Sequence, residues 1–99
     1  MSLFVIEHKH AADRCPASDP QMAPMLLKHL SPQNTQQFGI TIQAEAVIDN
    51  AHTLVMIADA PDQERLQQFM APFAQVGSVE IKSASPCEDV IERGGCAAA

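Results

Sequence analysis

Four short runs of this chain alternate apolar with polar residues. Two stretches among them repeat apolar residues every three or four positions, which restricts the fold to a sheet covered by helices. In residues 3–10, Phe4, Ile6, His8 and His10 share one strand face and Leu3, Val5 and Glu7 the other. Residues 40–48 set Ile40, Ile42, Ala44, Ala46 and Ile48 against Thr41, Gln43, Glu45 and Val47, a strand with one apolar face. Asp49-Asn50-Ala51 supplies turn residues and residues 52–58 are rich in β-formers, so the two runs read as a hairpin. Val79 and Ile81, alternating with Glu80 and Lys82, make the last strand.

The helical stretches are residues 22–30, apolar at Met22, Leu26 and Leu30, and residues 61–75, with Leu66, Phe69, Met70 and Phe73 on one stripe. Asp62 and Glu64 favour the start of the second helix, Pro72 should end or kink it, and Gly77 marks its exit. Ser31-Pro32 predicts a further short turn through Phe38, stopped by Gly39. Ser85-Pro86 resembles another helix start. The order βαββαβ predicts an α+β, ferredoxin-like domain: an antiparallel four-stranded sheet with helices on one face. Residues 1–99 form a single domain, with a C-terminal extension over about 84–99. The bare face of such a sheet is most simply covered by a second copy, giving a homodimer. A deep active site in so short a chain is expected to need a wall from that second copy.

Composition excludes several functions. Twelve acidic against six basic side chains give a net charge of -6, with no Lys/Arg cluster, which disfavours nucleic acid and anionic membrane surfaces. Residues 1–6 lack a basic segment and are too short an apolar run for a signal peptide or membrane span, so the expected location is cytoplasmic. Three cysteines, Cys15, Cys87 and Cys96, form an odd set that argues against a disulfide framework. Cys87 and Cys96 can close onto each other, reach Cys15, or stay free. No nucleophile elbow, P-loop or G-x-G-x-x-G occurs.

The densest group of metal-capable donors is His8-Lys9-His10, followed by Cys15 in a Pro-rich loop over 11–20. Alternate strand residues point the same way, so His8 and His10 can present two imidazoles to one ion with the Cys15 thiolate as a third donor. The competing reading makes His8 the polar end of a buried strand and His10 a loop-edge residue. Strand order suggests Met56, Ala58, Asp59, Ser78 and Glu80 as neighbours, with Asp59 or Glu80 supplying a carboxylate and His52 too far away. His29, beside Leu26 and Leu30, reads as a helix-end residue satisfying carbonyls.

Phe4-Val5-Ile6-Glu7, Glu45-Ala46-Val47, His52-Thr53-Leu54, Ala58-Asp59-Ala60-Pro61-Asp62 and Gly77-Ser78-Val79-Glu80-Ile81 together resemble the dimeric α/β-barrel superfamily of ferredoxin-like proteins. The chain is similar in particular to small uncharacterised or nickel-binding members. It departs from the metal-binding ones in its Cys15-Pro16 loop and its tail bearing Cys87 and Cys96. The resemblance implies a homodimer more strongly than an activity.

Three functions follow as expectations. The first is a small cytoplasmic homodimeric binding protein holding a transition metal, nickel or zinc, or a small ligand near His8, His10 and Cys15. The second is a monooxygenase- or isomerase-like enzyme with His8 or His52 as general base. A pocket of at least about 300 Å³ lined by Ile42, Met56 and a histidine would favour it. The third is an accessory or regulatory subunit without a small-molecule site.

Overall fold

The computed structural model describes residues 1–97, so Ala98 and Ala99 of the predicted extension lie outside the described residues. The elements are β1 (Ser2–His10), α1 (Met22–His29), α2 (Pro32–Thr35), β2 (Thr41–Ile48), β3 (Thr53–Ala60), α3 (Gln63–Ala74), β4 (Gly77–Ala84) and α4 (Cys87–Glu92). The strands form one antiparallel open sheet in the order β2-β3-β1-β4, the ferredoxin-like α+β arrangement expected from the sequence.

The alternation in β1 is realised as predicted. Phe4, Ile6 and His8 are buried beneath the helices, together with Leu54, Met56, Ala58 and Ala60 of β3. Leu66, Phe69, Met70 and Phe73 of α3 close over them as one stripe. The helix begins at Asp62, whose carboxylate accepts from the Arg65 N–H at 2.8 Å, and it continues through Pro72 to Ala74. Its last turns are tied to α1 by His29: Nε2–H donates to the Phe69 carbonyl at 2.8 Å, and the ring stacks on Phe69 at 4.4 Å. His29 thus satisfies a carbonyl, as expected, but one on the neighbouring helix.

In contrast to α3, α1 buries no residue fully. Leu26 and Leu30 lean on the core while Met25 and Leu27 face solvent. The helix therefore sits loosely over the sheet, and the space it leaves becomes the cavity described below.

The single apolar face expected for residues 40–48 is not observed. The register slips between Ile42 and Ala44, where Gln43 forms a β-bulge and donates its side-chain amide to Asp59. An extra residue reverses the alternation. Ile42 lies beside buried Ala58 on the helix side, but beyond the bulge it is Glu45 and Val47 that pair with Met56 and Leu54 on that side. Ala44, Ala46 and Ile48 are turned to the bare face.

Candidate metal centre and cavity

Antiparallel pairing decides which residues meet at the end of β1. Lys9 pairs with Thr53, and the His10 N–H donates to the His52 carbonyl at 3.2 Å, so the start of β3 lies beside the end of β1. This corrects the expectation that His52 is remote and that Met56, Ala58 and Asp59 are neighbours. Asp59 pairs with Leu3 at the opposite end of the sheet. Glu80 pairs with Glu7, on the face away from His8 and His10. Neither carboxylate reaches the histidines.

His52 ends the hairpin loop in the left-handed region, with φ at 49°, and Asn50 shares that conformation at 63°. Residues other than glycine adopt it infrequently, histidine and asparagine among the more tolerant. The bend sets the His52 ring edge-on to the His10 ring at 5.2 Å. On the other strand edge, β4 approaches β1 closely at Gly77, where a Cβ would stand 2.0 Å from the Lys9 carbonyl oxygen. Glycine is required there by the close approach.

The loop after β1 is folded into two short 3-10 turns, Ala12–Arg14 and Pro16–Ser18, which return Cys15 to the histidines. One ligand atom each from His10, Cys15 and His52 lies within 4.8 Å of the other two. Donors around a tetrahedral zinc ion stand about 3.3–3.7 Å apart, given bonds of about 2.0–2.3 Å. A contraction of at most about 1–1.5 Å therefore closes the group on an ion. Both ring nitrogens of His10 are buried without a hydrogen-bond partner, leaving either available as a donor atom.

The Cys15 thiol is partly exposed and is pulled from its ordinary 9.0 to about 6. The Ser18 side chain contributes most, followed by the His52 and His10 side chains, with burial opposing them. A thiolate near neutral pH is the form that ligates metals.

His8 lies outside this three-residue group. Its ring is 2 % exposed, 5.4 Å from the His10 ring and edge-on to Phe73 at 5.1 Å. Nδ1–H donates to the Ser78 carbonyl at 3.0 Å, while Nε2 is buried and unpartnered. Burial pushes its pKa below 6.5, with the Ser78 bond opposing and His10 adding to the shift. Of the three residues expected from the sequence, the fold brings His10 and Cys15 into one group, gives the third place to His52, and keeps His8 just behind. The signal for His52 was the antiparallel register of neighbouring strands.

All of these side chains line one cavity of about 570 Å³ between α1, the 16–18 turn and the β2–β3 hairpin. Leu26, Leu30, Ile42, Val47, Leu54 and Phe73 form its apolar walls, and Glu45 and Asp49 its acidic rim. The residues that line the cavity all belong to one chain, and it opens to solvent on one side. Cys87 and Cys96 are exposed free thiols apart from it; Cys15 is free as well. Among the described residues no helix is long and apolar enough to cross a membrane.

A family profile described as "Domain of unknown function (DUF3303)" matches residues 3–95. No curated protein and no solved structure matches the chain.

Proposed function

This chain belongs to the DUF3303 family, whose description carries no activity, and we propose that it binds a transition metal ion, zinc or nickel, through His10, Cys15 and His52. The proximity of those three donors, two of them imidazoles and one a thiol with depressed pKa, is the observation that supports the reading. Imidazole and thiolate suit borderline-soft divalent ions. Three protein donors leave a coordination position open, as in catalytic rather than structural zinc sites. A metal held there would supply a Lewis acid at the floor of the cavity.

Calorimetric titration of chelator-treated protein with Zn²⁺ or Ni²⁺ tests this. One saturable ion per chain at micromolar concentration is expected, weakened at least about tenfold by His52→Ala or Cys15→Ser, since each removes a donor. Cys87→Ser should change nothing. Absence of saturable binding, or equal binding by His52→Ala, refutes the assignment.

The cavity favours a second reading, an enzyme acting on a small organic substrate. It exceeds about 300 Å³, the lower end of ligand-pocket size, and is lined by Ile42 and three histidines, with Leu54 rather than Met56 on its wall. Turnover that depends on His8 or His52 would support that reading.

A homodimer in the cytoplasm completes the proposal. The bare sheet face carries Val5, Ala46, Ile48, Val55 and Ile57, with Ile48 49 % and Ile57 38 % exposed. Glu7, Lys9, Glu80 and Lys82 add both signs of charge to one half of it, a pattern that two copies related by a twofold axis can match to each other. Light scattering should give twice the chain mass of 10.7 kDa, and a monomer at micromolar concentration refutes the dimer.

A further inference from the structure

We propose that the cavity is a binding site for a neutral, largely apolar small molecule carrying one hydroxyl group, which donates its hydrogen bond to Nε2 of His8.

Three observations converge on this chemistry. The Ser78 carbonyl can only accept, so the hydrogen of neutral His8 resides on Nδ1 and Nε2 is left as a bare acceptor. That atom is buried without a partner in a ring that is 2 % exposed and lines the cavity. A buried acceptor left unpaired is costly, and a ligand that supplies a donor removes the cost. The ring itself is held: Nδ1 is tied to β4 and the ring edge rests on Phe73, so the acceptor is positioned before a ligand arrives.

The walls define the rest of the ligand. Leu26, Leu30, Ile42, Val47 and Leu54 ask for an apolar body, and about 570 Å³ accommodates a bicyclic ring system. Glu45, brought to the cavity by the bulge at Gln43, and Asp49 place carboxylates at the rim. They repel an anion and leave a neutral molecule unaffected. Selection against carboxylates and phosphates is thus built in beside selection for a hydroxyl. The inference uses the cavity of the proposed metal site but not the metal, and it is tested on chelated protein so that the two proposals fail separately.

Three probes of similar shape decide it: 2-naphthol, 2-methylnaphthalene, which replaces the hydroxyl with a methyl, and 2-naphthoate, which is anionic. Their binding to ¹⁵N-histidine-labelled protein is followed by calorimetry and by imidazole nitrogen resonances. The expected result is saturable binding of 2-naphthol about tenfold tighter than 2-methylnaphthalene, with naphthoate weakest. The His8 Nε2 resonance should move on adding 2-naphthol and stay in place with the methyl analogue. His8→Phe should abolish the preference for the hydroxyl. The nitrogen measurement on the unaltered protein decides the matter if that variant does not fold. Equal binding of naphthol and methylnaphthalene, an unmoved Nε2 resonance at saturation, or no saturable binding of naphthol overturns the proposal. Naphthoate binding as tightly as naphthol overturns the role of Glu45 and Asp49.

Discussion

The thiol of Cys15 offers a quantitative test of the site before any metal is added. With a pKa of about 6 instead of 9.0, the thiolate fraction at pH 7 rises from roughly one in a hundred to roughly nine in ten. Reactivity does not rise by the same ratio, because a less basic thiolate is a weaker nucleophile. With a Brønsted coefficient of about 0.4–0.5, a shift of three units lowers intrinsic reactivity by about 15- to 30-fold. The net expectation at pH 7 is a reaction only about 3- to 6-fold faster than that of an ordinary thiol. The shape of the pH profile therefore discriminates better than the rate. In a Cys87→Ser, Cys96→Ser background with chelator present, exchange of Cys15 with the neutral reagent dithiodipyridine should rise through a midpoint near 6 and level off well below pH 8. Ser18→Ala should raise the midpoint most, then His52→Ala, then His10→Ala, following the order of their contributions. A midpoint above about 8, or three variants that all superpose on the parent, refutes the account of how this loop tunes the thiol.

Two further outcomes follow from the same geometry. His8 is buried with its pKa depressed, so in the absence of metal it contributes stability that is present above 6.5, the unfolded value, and is lost as pH falls below it. Denaturant midpoints measured from pH 7.5 to 5 should fall more steeply for the parent than for His8→Phe; parallel curves contradict this. Gly77→Ala forces a Cβ to 2.0 Å from the Lys9 carbonyl, so β4 must move away from β1. A loss of about 1–3 kcal/mol is expected in urea unfolding, and an unchanged midpoint would show that the strands part freely there.

Much of the fold was legible because its signals are local. The period of two in residues 3–10 and the stripe of Leu66, Phe69, Met70 and Phe73 each specify an element and the face it buries. The site was legible only in part, because it is made by register. His10 and Cys15 are close in sequence and their loop is short, whereas His52 joins them only through antiparallel pairing with a neighbouring strand. Glu45 was assigned to the wrong face for a related reason. A bulge leaves an apolar alternation unbroken in the sequence while reversing which residues meet the core.

The cavity follows from a difference between two helices that look alike by spacing. On α3 the large apolar residues at 66, 69, 70 and 73 fall within one stripe, so the sheet can receive all of them. On α1 they include Met25, Leu26 and Leu27 in succession, and successive residues are turned about 100° from one another around a helix. No single surface can cover all three. Leu26 leans on the core while Leu27, 73 % exposed, stands over the cavity instead of filling the sheet beneath it. A helix so distributed cannot close down on β1 and the hairpin, and the space it leaves open is the one toward which His8, His10, Cys15 and His52 are gathered.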